Sequence, residues 1–375
     1  MTKTEKLLAE LIELRSINPA FLPEEDAWTG ERRVAEFIAA IAADAGLEIE
    51  FCEVLPGRPN LFARLRPAGR VRSRVWLVPH LDTVGGAEEQ FTPRKRNGRF
   101  YGRGACDTKG SVAAMLSALC QLAGQKERPA STEITLVAVI DEEIGQAGSR
   151  WLAKSGLKAD LAIIGEPTRL KVVTAHKGSS WLRLETRGKS AHGARPELGR
   201  NAIHLMARIV DLLETDYAAE LRRRRHPLLG PPTVSVGVIR GGTQPNIVPD
   251  RCVLEVDRRT LPGETENGLR REMSRFLRKH RLSAACSSSK LAPCLPLETD
   301  PRHPLVVQLM CAARQEEPAG VHYFCDASVL ARAGIPSVVF GPGDIAQAHT
   351  ANEWISLAAL ERGTATLLGF LQSLS

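Results

Sequence analysis

Four apolar runs with polar tips constrain the fold of this 375-residue chain more than any other feature: VWLVPHLDTV at 75–84, EITLVAVIDEEIG at 133–145, LAIIGEPT at 161–168 and PSVVFGPG at 336–343. Each has the length and the β-branched content of a buried strand, and its polar residues begin where the apolar run ends. In open α/β sheets ligands gather beyond the carboxyl ends of the strands, so these tips are expected to converge on one sheet edge.

Three of these tips, with two further segments, carry metal chemistry. PHLDTV at 79–84, GRGACDTKG at 102–110, DEEIG at 141–145, GEPT at 165–168 and QAHTANE at 347–353 supply His80, Asp107, Glu143, Glu166 and His349, a ligand set for two metal ions. Imidazole and carboxylate oxygen suit zinc, with cobalt or manganese as substitutes, and a catalytic site keeps one position open for water. Two ions at ~3.5–4 Å need a carboxylate that bridges them. Asp107, short and set among Gly102, Gly104 and Gly110, suits that bridge. His80 and Glu166 then complete one metal, and Glu143 and His349 the other; spacing alone does not fix this division. Asp82 lies two residues from His80 and can fix the imidazole tautomer from behind.

If the segment is extended, Glu142 and Glu143 point to opposite sides, so one ligates while the other faces the water. Glu142 is the expected general base: metal-bound hydroxide attacks an acyl carbonyl, and Glu142 takes the proton and hands it to the leaving amine.

Between Glu166 and His349 the pattern changes. WLRLETRGKSAHG, a helical stretch near Asn201–Leu213, TVSVGVIRGG, CVLEVDRRTLPGE and a helical Glu266–Lys279 follow one another before the Ser/Ala-rich SAACSSSK. This β-α-β-β-α order fits a small α+β sandwich with helices on one face of an antiparallel sheet. The expected organisation is a discontinuous catalytic domain, 1–175 and 289–375, interrupted by an inserted domain at 176–288. The insert holds 21 Lys or Arg against 12 Asp or Glu, which accounts for the basic excess of a chain with net charge +7. A positive surface of this kind draws in acidic small molecules. Finger spacing, aromatic RNA-binding runs and basic heptads are absent from the sequence, so no nucleic-acid partner is expected.

The amino-terminal MTKTEKLLAELIELRSINP reads as an amphipathic helix, and no apolar stretch approaches the ~20 residues of a membrane span, so a cytoplasmic protein without a membrane partner is expected. Eight scattered cysteines without a CxxC pair read as buried thiols. Cys106, beside Asp107, is expected only to pack.

From LRSINP at 14–19 to QAHTANEW at 347–354 the chain resembles the acetylornithine deacetylase, succinyl-diaminopimelate desuccinylase and aminoacylase group of di-zinc metallopeptidases. The resemblance implies a mixed-sheet α/β zinc-peptidase-like catalytic domain, two zinc ions per subunit, a cis peptide after Asp107, and an inserted lid domain that mediates homodimerisation. It also implies that His192 reaches the partner's active site to stabilise an oxyanion, that Asn246 contacts substrate, and that Arg259 binds the substrate carboxylate. Arg258, adjacent on the strand, should face the other side. The terminal GIPSVVFGPGDIAQAHTANEW resembles the acetylornithine deacetylase branch, which implies cleavage of N-acetyl-L-ornithine to acetate and L-ornithine, a step in making arginine. Thr108 and Ala351-Asn352 depart from some members and bear on substrate rather than metals. The alternatives are a desuccinylase, with Arg258 or Lys177 as the extra cation, a broad N-acyl amino acid amidohydrolase or dipeptidase, and, from another class, a silent scaffold.

Overall fold

The four apolar runs become four neighbouring parallel strands: Thr132–Ala138, Ser73–Val78, Leu161–Ile164 and Ser337–Val339. Two antiparallel strands, Arg58–Leu65 and then Glu48–Leu55, extend the sheet on one side, which makes it mixed. Alternate residues Val75, Leu77, Ile134, Leu136, Leu161 and Ile163 share one buried core with helices Lys3–Glu13, Arg32–Asp44, Lys109–Ala123 and Leu357–Gln372. The amino-terminal helix contributes Leu7, Leu8, Leu11 and Ile12, the apolar stripe that its 3.6-residue period predicts. Because the central strands run the same way, their tips emerge along one edge. Pairing continues past the strands, with Leu81 N–H donating to the Val139 carbonyl at 2.9 Å, and so the 80–83 and 139–143 segments leave the sheet side by side.

The computed structural model describes residues 1–22, 29–290 and 294–375. The chain divides into two units, one of Met1–Thr174, Thr299–Ala319 and Cys325–Ser375, the other of Ala175–Glu298 and Gly320–Phe324.

The second unit is built on an antiparallel sheet in the order Thr233–Gly241, Arg251–Thr260, Gly178–Arg187, Ala285–Ser288. Helices Ala202–Leu212 and Glu266–Lys279 cover one face, where Met206, Ile209, Met273 and Phe276 bury Leu182, Leu184, Leu254 and Val256. Asn201 caps the first helix by accepting from the amides of Ile203 and His204. The sequence reading missed the fourth strand, which lies in the Ser/Ala-rich stretch. It sits at the sheet edge, and its small residues bury too little to leave an apolar alternation. Within the basic run Arg222–Arg225, Arg224 pairs with Glu264 at 3.2 Å and Glu272 at 2.8 Å.

Candidate metal centre

At the carboxyl edge of the first unit, Asp107 presents one oxygen to each of two imidazoles. Its Oδ1 lies 3.2 Å from His80 Nε2, and its Oδ2 lies 3.3 Å from His349 Nε2. His80 Nε2 is also 3.8 Å from a Glu166 oxygen, and His349 Nε2 is 3.1 Å from Glu143. Ligand-capable atoms of His80, Asp107 and Glu143 lie within 4.8 Å of one another, as do those of His80, Glu142 and Glu166. The first trio groups Glu143 with His80, but its shorter contact to His349 favours two half-sites that share Asp107.

Each residue arrives by a local route. His80 and Glu166 stand two residues beyond the ends of their strands, Val78 and Ile164. Asp107 ends a loop that turns directly into the helix Lys109–Ala123, and its bond to Thr108 is cis. Gly110 lets that helix start close to the loop, because a Cβ there would stand 2.5 Å from the Ala105 carbonyl. Glu142 and Glu143 lie in a turn that follows Asp141, whose φ is 66°, and not in an extended segment, so strand alternation is not what separates them. Asp82 positions that turn: its carboxylate accepts from Glu142 N–H at 3.0 Å, Glu143 N–H at 3.1 Å and the Asn18 amide at 2.8 Å. His80 Nδ1 is nearer to the Asp82 backbone carbonyl, at 3.0 Å, than to its carboxylate, at 3.4 Å.

The cluster is dominated by buried acid. Burial, followed by repulsion from Glu166, raises the Glu142 carboxyl well above the usual carboxylate range. Burial likewise raises Glu166 well above that range, against the attraction of His80. For Asp107 burial is outweighed by hydrogen bonds to His349 and His80, which hold its carboxyl low. Hydrogen bonds to Asp107 and Glu143 push His349 up to about 10. Protonated imidazoles thus balance part of the acid, and a dication does so more fully, releasing those protons as it binds. The N···O separations of 3.1–3.3 Å also match the roughly 3.3 Å edge between two ligands of one tetrahedral zinc with bonds of ~2.0–2.1 Å. The donor set therefore fits a pair of dications.

Residues 76–373 match the pattern of Peptidase family M20/M25/M40. The chain belongs to this family. The acetylornithine deacetylase of Myxococcus xanthus is 33% identical over 336 residues, covering 86% of this chain and 84% of its own length. That of Edwardsiella ictaluri is 32% identical over 334 residues, covering 86% of each. Among solved structures, the aminopeptidase PepT of Bacillus cereus superposes with a TM-score of 0.80 at 20% identity, covering 99% of this chain and 97% of that one. The dinuclear metal-binding peptidase YXEP of Bacillus subtilis gives 0.73 at 15% identity, covering 98% and 96%. These likenesses establish the mixed α/β fold, and the family and its curated relatives make the chain a metal-dependent amidohydrolase.

Two of the three candidates on the family's inserted segment come together in the second unit. His192 pairs across the backbone with Ile247, and Gly193 N–H donates to the Asn246 carbonyl at 2.7 Å. Both His192 and Asn246 are exposed. Ala194 N–H donates to His192 Nδ1 at 3.1 Å, a bond that selects the tautomer with N–H at Nε2. Arg259 is not brought to them. It lies toward the opposite end of the Arg251–Thr260 strand, where Asp257 accepts from its Nε at 3.0 Å. Eight residues of strand at ~3.3 Å each put roughly 26 Å between Arg259 and Arg251, the end nearer His192.

Arg258 faces the other side of the strand, as expected, but it is wholly buried and bonded to Glu264 at 2.7 Å and to the Tyr217 hydroxyl at 3.4 Å. It is therefore unavailable as a substrate cation. Lys177 is also buried, donating to the Pro231 carbonyl at 2.6 Å. Cys106 packs as expected; burial pushes its thiol far above the usual range.

Sequence reasoning passed over Asn18, whose amide bridges the Asp82 and Asp141 carboxylates at 2.8 and 2.9 Å, and Glu353, buried beneath the Asp107 loop. It also passed over Asp326, buried and bonded to Ser149 at 2.6 Å. The quoted LRSINP and QAHTANEW segments contain the first two, but nothing in their spacing separates them from ordinary loop residues. Among the described residues no helix is long and apolar enough to cross a membrane.

Proposed function

We propose that the chain is a two-zinc N-acetyl-L-ornithine deacetylase of the cytoplasm that works as a homodimer, releasing acetate and L-ornithine. The observation that supports the metal reading most directly is Asp107, with one oxygen toward His80 and the other toward His349. The substrate rests on the relatives at 32–33% identity. His80, Glu166 and Asp107 hold one ion in this reading, and Glu143, His349 and Asp107 the other. When bound, the metals supply Lewis acidity to the acyl carbonyl and lower the pKa of water toward ~7.

The chain's own residues handle the protons. Glu142, with its carboxyl raised by burial and by Glu166, accepts a proton from the attacking water. It returns that proton to the amide nitrogen as the C–N bond breaks, leaving acetate and a free amine. Asp82 holds Glu142 in place through the amides of the turn. Asn246 contacts the substrate, and Arg259 binds its α-carboxylate through the guanidinium edge that Asp257 leaves free. His192 offers its Nε2–H to the developing oxyanion.

An incompatibility supports homodimerisation through the second unit, the proposed lid. His192 and Asn246 sit near one end of a strand and Arg259 near the other, too far apart to grip one small molecule from a single copy. Two copies remove that conflict, each lending its His192 end to its partner. The runner-up, succinyl-diaminopimelate desuccinylase, loses support because Arg258 is sequestered by Glu264. The deciding experiment is kcat/KM for N-acetyl-L-ornithine, N-succinyl-L,L-diaminopimelate and N-acetyl-L-methionine on zinc-loaded and chelated protein. A preference of ~100-fold or more for acetylornithine, roughly 2.7 kcal/mol, is expected. Comparable low rates on all three leave the amidohydrolase and remove the substrate.

A further inference from the structure

One buried carboxylate ties two of the candidate ligand segments together. Glu353 is 2% exposed, and the loop that delivers Asp107 is wrapped around it through backbone N–H groups. Its Oε1 accepts from Cys106 N–H at 2.8 Å and from Asp107 N–H itself at 3.0 Å. Its Oε2 accepts from Gly104 N–H at 3.0 Å and from Arg103 Nη1 at 2.7 Å. Its backbone carbonyl accepts from Gly102 N–H at 3.1 Å. Consecutive N–H groups turned inward form a concave anion site, and here the anion is a side chain of the same protein. Gly104 makes the wrap feasible, with a φ of 80° and a missing Cβ that would otherwise stand 2.9 Å from Lys109.

Glu353 lies four residues after His349, and the intervening segment is pinned as well: Gln90 Nε2 donates to the carbonyls of Thr350 and Ala351 at 3.1 and 3.0 Å. The Asp107 loop and the His349 segment, remote in sequence, therefore meet at this carboxylate.

We propose that Glu353 is a positioning residue for the metal pair: by clamping the Asp107 loop to the His349 segment it sets where the shared carboxylate and the last imidazole stand relative to each other. This rests on the two-metal reading of the site. A merely structural ion pair with Arg103 needs one carboxylate oxygen, whereas the three backbone amides fix the orientation of the peptide that carries Asp107. Outer-sphere partners of this kind typically govern metal affinity by 10–100-fold.

The substitution that separates the two roles is Glu353→Gln. It keeps the volume, but the amide retains only one acceptor oxygen and sets an NH2 against N–H donors on the other side. Metal stoichiometry and affinity are read by competition with a chromophoric chelator, alongside the d–d spectrum of cobalt-substituted protein and the Tm in excess chelator. The expected result is two metals per subunit in the wild type, at least a 10-fold loss of affinity in Glu353→Gln and an altered cobalt spectrum. Affinity within threefold of wild type and an unchanged spectrum, with Tm lowered equally with and without metal, mean a structural ion pair and overturn the proposal. Should Glu353→Gln not fold, Glu353→Asp keeps the charge but withdraws it by one methylene; a metal affinity equal to wild type in that variant overturns the proposal equally. Fewer than two metals in the wild type overturns the two-metal reading and this one with it, whereas a normal wild type with an unaffected variant overturns this one alone.

Discussion

The two units place their charge in opposite ways. In the first, acid is drawn inside: Asp82, Asp107, Glu166, Asp326 and Glu353 are all buried at one sheet edge. In the second, the basic excess lies mostly at the surface, and the wholly buried Arg258 is neutralised by Glu264. A buried charge is costly unless paired or held by a metal. At that edge the buried acid exceeds what His80, His349 and Arg103 can balance, which is what a pair of cations corrects. The second resolves its buried charge internally and leaves His192, Asn246 and Arg259 outside an apolar scaffold. Buried charge therefore marks chemistry in one unit and architecture in the other.

The sharpest test of that contrast removes one acid from the first unit. Glu142→Ala is expected to lower kcat by about 10³–10⁴-fold while both metals stay bound, since a positioned proton carrier contributes up to that order. Loss of a metal together with activity makes Glu142 a ligand, and full activity removes it from the reaction. The counterpart is Arg258→Met in the second unit, which strips Glu264 of its buried partner. Denaturant titration should show a loss of about 3 kcal/mol, with metal content unchanged. If stability holds and only KM for a succinylated substrate rises, Arg258 is a substrate contact after all and the contrast fails.

The sequence made the first unit more legible than the second, for a physical reason. Strands buried on both faces must be continuously apolar, so His80 and Glu166 stand out where LVPH and IIGE turn polar. Asp107 is marked by the glycines its loop requires. Asn18 and Glu353 leave no such mark, because each acts through tertiary contacts with segments far along the chain. The strand Ala285–Ser288 was invisible for the related reason that an edge strand of small residues buries little. Glu142 was singled out on the premise of an extended backbone, whereas its place is set by a turn that Asp82 holds.

A smaller effect is expected from His192→Ala. An exposed residue on a turn costs little in stability when truncated, so its whole contribution should appear in kcat, with a fall of roughly 10²-fold and KM within about threefold. An equal weakening of ground-state binding argues against an oxyanion donor. Its loss should also be rescued by mixing with Glu142→Ala protein, because a mixed dimer joins an intact metal site to an intact His192 from the other copy. Absence of rescue under subunit exchange breaks the homodimeric reading.

The smallest effect concerns His176, which carries the architectural side of the contrast to a titratable group. Its Nδ1 lies 2.9 Å from the Lys177 carbonyl, which makes Nδ1–H the donor, and its buried Nε2 has no partner among the described residues. A second proton would leave an N–H with no acceptor in an apolar setting, so burial lowers its pKa to about 4. Above the unfolded value of ~6.5 both states are neutral and the group is silent. Between ~6.5 and about 4 the unfolded chain takes up a proton that the folded chain refuses, so stability falls with pH across that window and levels off below it. From pH 7 to pH 5 the loss is about 2 kcal/mol. The metal centre titrates as well, so the comparison is made between wild type and His176→Leu in chelator, by denaturant titration at both pH values. The stability difference between the two proteins should shift by about 2 kcal/mol in favour of the variant at pH 5. A pH-independent difference means that the ring accepts its second proton as readily when folded, and that the second unit tolerates an unpaired charge in its interior.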